Sequence, residues 1–210
     1  MGVRRLDMAA AIRIGIDFDN TIISYDAVFH AAARSAGLIG EGIAPRKQAV
    51  RDAMRLAPDG ELAWQKLQGQ VYGAGIRDAV VIDGVDPFLR RCRAAGCEVA
   101  IVSHKTVFGH YDPQRVNLRD AATDWMTAHG FFADDGYGIS QVYFEGTRAE
   151  KLARIGRLRC DWFIDDLAEV LSDPAFPPGV RKILFGPAQA VPSDCIVCPT
   201  WRAIEECIFE

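Results

Sequence analysis

The sequence predicts an α/β fold: a parallel sheet flanked by helices, with a small all-helical unit inserted after the first strand. Three observations carry this. Short apolar runs recur along the 210 residues, and helical periodicities lie between them. One long stretch, residues 25–81, shows helical spacing and no convincing strand pattern. Strands that alternate with helices pair in parallel through crossover helices.

Each element has its own local signal. Residues 12–17 (IRIGID) form an apolar run ending in acid, the pattern of a buried strand. Helices are then expected over 26–36, 45–57 and 61–72. Asp86 is placed to cap a helix with Pro87 at its first position. In that helix Phe88, Leu89, Cys92 and Ala95 share a stripe, and Gly96 closes it. Residues 98–103 (EVAIVS) give a second strand. Leu118, Ala122, Trp125 and His129 recur at helical spacing before Gly130. Residues 141–145 (QVYFE) give a third strand. Thr147-Arg148-Ala149-Glu150 reads as a capping box that opens a helix at Arg148. Residues 161–165 (DWFID) and 182–185 (KILF) give two more strands, with a short one at 195–197. Trp201, Ile204 and Ile208 mark a closing helix. Residues 1–24 and 82–210 are thus expected to form the core, and 25–81 the helical insertion.

Composition narrows the functional classes. Half the residues are apolar, a quarter are charged, and the net charge is −4. Those values exclude a disordered tail, a collagen-like repeat and a coiled coil. They also argue against a global electrostatic grip on nucleic acid. No run reaches the roughly eighteen apolar residues that span a bilayer, so no membrane partner is expected. The N-terminal MGVRRLDMAAAIRIGID is broken by Arg13 and leads into a strand, which argues against a signal peptide. Leu6 stands where myristoylation wants Ser or Thr. A cytoplasmic location is the resulting expectation. Cys195 and Cys198 form a lone CxxC with no second pair and no nearby histidine, so the six cysteines read as structural thiols.

The chemistry gathers at strand ends. In open parallel sheets ligands bind beyond the carboxyl ends of the strands. The first strand ends in Asp17-Phe18-Asp19-Asn20-Thr21, the second in Ser103-His104-Lys105, and the fourth in Asp165-Asp166. If these strands are neighbours, four carboxylates converge with a hydroxyl and a lysine. Two carboxylates about 4 Å apart repel by about 4 kcal/mol at an effective dielectric near 20. A hard dication with oxygen ligands relieves that repulsion, and Mg²⁺ suits a few carboxylates plus a substrate phosphate. Phosphoryl transfer with a carboxylate nucleophile is the reaction this suggests.

These segments resemble the four motifs of the haloacid dehalogenase superfamily, in order and along nearly the whole chain. DFDNT (17–21) is similar to DxDxT, Ser103 to the second motif, Lys151 to the third, and FIDD (163–166) to the fourth. The resemblance implies a Rossmann-like core with a helical cap between the first two motifs. It makes Asp17 the nucleophile that forms an aspartyl-phosphate. Asp19 becomes the acid that protonates the leaving oxygen and then the base that activates water. It gives Ser103 a phosphoryl oxygen to hold and Lys151 the developing charge to neutralise. Asp17, Asp19, Asp165 and Asp166 become the Mg²⁺ site, with Asp19 contributing its main-chain carbonyl. Asn20 fills a slot often held by glycine, a mild departure because Asn tolerates a left-handed turn. Asn20, Thr21, His104 and Lys105 are the expected substrate contacts, with Lys105 also the rival of Lys151.

The function so implied is a Mg²⁺-dependent phosphatase acting on a small phosphorylated metabolite, such as a sugar phosphate or nucleotide-like ester. Its rivals are a phosphotransferase with the same intermediate and a catalytically silent binding or regulatory module. A dehalogenase is disfavoured by Asp19. Lys47, Arg51 and Arg55 recur at helical spacing opposite Val50, Met54 and Ala57, a pattern read first as a solvated face and second as a ring of cations steering an anionic substrate. Tyr25, His30 and Arg34 are candidates to reach the leaving group, and His104, His110, Tyr111 and Asp112 to contact substrate from a loop. Glu169 reads as an ordinary helix residue.

Overall fold

The computed structural model describes residues 11–187 and 191–210. The N-terminal pattern weighed above for a signal peptide and for myristoylation falls largely in residues 1–10, outside the described residues. Among the described residues no helix is long and apolar enough to cross a membrane.

The chain opens with β1 (Arg13–Ile16), a short β2 (Ile23–Ser24), and three helices, α1 (Asp26–Ser35), α2 (Lys47–Arg55) and α3 (Gly60–Tyr72). A 3-10 turn (Ala74–Asp78) leads into β3 (Val80–Val81) and α4 (Val85–Ala94). The pattern then alternates: β4 (Glu98–His104), α5 (Leu118–Ala128), β5 (Gln141–Glu145), α6 (Arg148–Leu158), β6 (Trp162–Asp165) and α7 (Ala168–Leu171). Then β7 (Arg181–Phe185), β8 (Cys195–Cys198) and α8 (Trp201–Phe209) complete it.

Six strands form one Rossmann-like sheet in the order β5-β4-β1-β6-β7-β8, with every neighbouring pair parallel. β1 lies between β4 and β6, with Ile16 level with Ile101 on one side and Ile164 on the other. The strand order turns at β1, so the carboxyl ends of β1, β4 and β6 lie side by side at a switch point.

Alternation along the strands feeds two apolar layers. Ile14, Ile16, Ile101 and Ile164 pack on one face, with α4, α5 and α8 supplying Phe88, Trp125 and Trp201. Ala100, Val102 and Phe163 pack on the other against Leu152 and Ile155 of α6. Helices α1–α3 join the first layer through Phe29, Val50, Trp64 and Leu67.

The sequence signals hold with some shifts. α4 begins at Val85, behind a left-handed Gly84 (φ 86°), and Asp86 does not cap it. Asp86 instead sits in the first turn, where it accepts from Tyr137 Oη at 2.7 Å and Arg90 Nε at 3.0 Å. Ala95 lies past the helix end and is exposed. At α6, Thr147 caps the Glu150 amide at 3.2 Å. The Glu150 carboxylate reaches one residue further than a standard box, to the Gly146 amide at 3.0 Å. β2 and β3 pair antiparallel inside the stretch read as strand-free. Two residues each are too few to show a period.

One contact pins the helices to the core. The loop after β4 crosses α3 so closely that a Cβ on Gly69 would stand 2.6 Å from the His110 carbonyl oxygen. A Cβ on Gly109 would stand 2.7 Å from Gly69 Cα. Only glycine permits that approach.

Candidate active site

The Asp17–Thr21 segment leaves β1 at the centre of the sheet. The Asp17 amide still pairs with the Ile164 carbonyl at 2.9 Å, which continues the β1–β6 ladder one residue beyond β1. Phe18 is fully buried, edge-on to Trp125 at 5.8 Å, and so anchors the segment in the core. Asn20 then takes the left-handed conformation (φ 60°) expected of that slot. The turn is fixed further by Trp201 Nε1, which donates to the Thr21 carbonyl at 3.0 Å.

Asp17, Asp165 and Asp166 each present a carboxylate oxygen within 4.8 Å of the others. Lys151 rises from the first turn of α6 into the middle of them. Its Nζ donates to Asp17 Oδ1 and to Asp165 Oδ2, both at 2.6 Å. Asp165 also accepts from the Leu167 amide at 2.9 Å, so both its oxygens are engaged. Among the described residues, Asp166 accepts only a long 3.5 Å contact from the Thr21 hydroxyl.

The electrostatics follow from burial. Asp166 is pushed up to about 8, first by burial and then by the charges of Asp17 and Asp165. Asp165 is pushed up to about 6 by burial, against the lowering effect of Lys151. Burial alone would lower the Lys151 ammonium, but Asp17 and Asp165 more than reverse this and its pKa is raised. A site that holds carboxyls this far above their usual range is short of positive charge. Hard oxygen donors in a group of three fit a Mg²⁺ ion.

Asp19 stands apart from that group. Its carboxylate accepts from Lys105 Nζ at 2.8 and 3.0 Å and from Tyr25 Oη at 2.8 Å. Its side chain is therefore not with the three metal-ligand candidates. Lys105 is 3% exposed and commits its charge to Asp19, while Lys151 sits at Asp17. The two rival lysines thus contact different carboxylates.

A cavity of about 380 Å³ opens over these groups, lined among others by Asp17, Asp19, Asn20, Ser103, Lys151 and Asp166. His104 and Lys105 line it too, and the His104 ring contacts the Gly146 carbonyl through Nε2 at 3.0 Å. Thr21 departs from its expected place. It is fully buried, and its hydroxyl turns to Asp166 rather than to the cavity. Tyr25 likewise holds Asp19 instead of reaching outward. His30 bonds to the Ile43 carbonyl and Arg34 pairs with Glu41, both away from the cavity lining. Glu169 pairs with Arg148, and that pair lines the cavity. Lys47, Gln68 and Tyr72 also line it, from α2 and α3. Sequence reasoning missed Gln68 and Tyr72, and it weighed Lys47 only second, within a ring of cations steering an anionic substrate.

No protein-family model matches the sequence, and no curated protein matches it. Solved structures do match. Protein Tyrosine Kinase A from Mycobacterium tuberculosis is similar over 95% of this chain and 99% of its own, with TM-score 0.63 and 16% identity. A haloacid dehalogenase-like hydrolase from Streptococcus pneumoniae is similar over 95% and 99%, with TM-score 0.59 and 12% identity. A hydrolase of the same superfamily from Ehrlichia chaffeensis is similar over 95% and 98%, with TM-score 0.58 and 13% identity. Six parallel strands, with the acids at the turn of their order, give this chain the haloacid dehalogenase-like fold.

Proposed function

We propose that the protein is a Mg²⁺-dependent phosphatase that hydrolyses a small phosphorylated metabolite through an aspartyl-phosphate on Asp17. The observation that supports this most is Lys151 bridging Asp17 and Asp165 beside Asp166, at the floor of an open cavity. That arrangement gives a carboxylate nucleophile, a fixed positive charge and a cation site within one small volume.

In this reading an Asp17 oxygen attacks phosphorus, and the ester oxygen leaves with a proton from Asp19. Asp19 then takes a proton from water, whose oxygen attacks the acyl-phosphate and releases inorganic phosphate. Lys105 and Tyr25 hold the Asp19 carboxylate in place for both steps. Lys151 offsets negative charge at the transferring group, and the Ser103 hydroxyl donates to a phosphoryl oxygen. Asp166, the least engaged of the acids, and Asp17 would hold Mg²⁺, with Asp165 orienting Lys151 beside them. When bound, the ion supplies charge neutralisation for the phosphoryl oxygens.

The test is turnover of p-nitrophenyl phosphate with Mg²⁺, after EDTA, and after Mg²⁺ is restored. Activity that is lost and then recovered supports the reading. A folded protein with no turnover in either state favours a silent binding module. Transfer of the phosphoryl group to another acceptor is the second reading, since one protein of the same fold is named a kinase. It predicts that an added alcohol lowers the yield of inorganic phosphate relative to p-nitrophenol.

A further inference from the structure

Resting on the phosphatase reading, we propose that Lys47, with Arg51 and Gln68, forms a second oxyanion site on the leaving-group side of the cavity. The substrate is then a phosphomonoester that carries a further carboxylate or phosphate.

Lys47 is the first residue of α2, and its amide is held by Asp26 Oδ1 at 2.8 Å. Its side chain does not extend into water. The ammonium lies over the rings of Phe29 and Tyr72, at 5.9 and 5.4 Å from their centroids. Among the described residues no carboxylate oxygen lies within 4.0 Å of it. Of the acids nearby, Asp19 has Lys105 and Tyr25, and Asp17 and Asp165 have Lys151, while Asp166 and Asp19 act on Lys47 only at longer range. Burial opposes the Lys47 charge, but Tyr72, Asp166 and Asp19 more than offset it, so a charged ammonium stands in the cavity wall, where an anion brought by a ligand can pair with it.

The space around Lys47 fits such a ligand. A second cavity of about 570 Å³ shares Lys47 and Gln68 with the cavity over the acids, so one groove runs between them. Its lining adds Arg51, Arg55, His110 and Tyr111. Arg51 is one turn beyond Lys47, which puts their Cβ atoms roughly 5–6 Å apart on the same face. Among the described residues its ion pair is with the adjacent, exposed Asp52, the kind of pair worth little. Arg55 is tied to Glu61 at 2.6 Å and is less available. Val50 and Met54 are buried on the opposite side of α2. The basic stripe that read as a solvated face therefore borders a groove that leads to the nucleophile.

The test uses two matched probes that cannot be hydrolysed, ethylphosphonate and 3-phosphonopropionate, which differ by one terminal carboxylate. Calorimetric titration in Mg²⁺ is expected to show about tenfold tighter binding of the second probe. Lys47→Met is expected to reduce that preference to about twofold or less, Arg51→Met to weaken it about threefold, and Lys47→Arg to keep most of it. Propane-1,3-bisphosphonate, tested in parallel, distinguishes a phosphate site from a carboxylate site. The proposal is overturned if wild-type protein prefers neither doubly charged probe, or if the preference survives in both Met variants. Binding is read without turnover, so this result is separate from the phosphatase assay. A preference without hydrolysis would defeat the activity and keep the site.

Discussion

At the scale of single residues, the site is a set of charges that must not be left alone. Asp17→Asn removes the proposed nucleophile and one of three crowded acids. Turnover should fall below detection while the melting temperature stays equal or rises, measured by phosphate release and by thermal unfolding. Lys151→Ala leaves Asp17 and Asp165 facing each other without their shared cation. It should lower kcat/KM by about 10³, and by more than Lys105→Ala, which unpairs only Asp19. The reverse order would exchange the two lysines. These carboxylates were legible because Asp-x-Asp and Asp-Asp end apolar runs, where few local donors explain them. The Asp19–Lys105 pair was not legible, since its partners lie 86 positions apart. Tyr25 was read as a candidate to reach the leaving group, and nothing local pointed to Asp19 as its partner.

At the scale of elements, two positions test how the helices are held. An alanine in a helix interior is usually about 0.5–1 kcal/mol better than glycine. Gly69→Ala should invert that sign, because its Cβ would press on the His110 carbonyl. A loss of about 1–3 kcal/mol is expected from urea unfolding. Thr147→Ala removes the cap of the helix that carries Lys151. It should cost about 1 kcal/mol and lower activity as well, since the first turn positions the ammonium. Strands and long helices were readable from period and caps. The start of α4 was misplaced because Gly84 supplies a backbone conformation that leaves no side-chain signature. The β2–β3 pair was too short to show alternation, and the Gly69–Gly109 crossing is a tertiary event invisible to either local window.

At the scale of the whole molecule, the acid cluster couples ion binding to stability. Asp166 and Asp165 bind their protons more tightly in the fold, at about 8 and about 6, than at the ordinary 3.8. Their stabilising contribution is therefore complete at low pH and is lost as pH rises through those folded values. The metal-free protein should melt about 3 °C or more lower at pH 8 than at pH 5. Added Mg²⁺ should raise the melting temperature more at pH 8, where both carboxylates are ionised. A flat profile, or a larger Mg²⁺ effect at pH 5, would count against the ion site. The overall architecture was legible because alternating strands and helices allow few arrangements, and the β1 switch point follows from them. The face that α2 turns toward the acids was not legible, since a basic stripe looks the same over water as over a groove.

The bond from Trp201 to the Thr21 carbonyl spans 180 positions. During translation, the turn that follows Asp17 stays without this brace until α8 leaves the ribosome. Asp165, Asp166 and Lys151 also emerge long after Asp17. A nascent chain therefore exposes Asp17 well before the three acids that could hold an ion can come together.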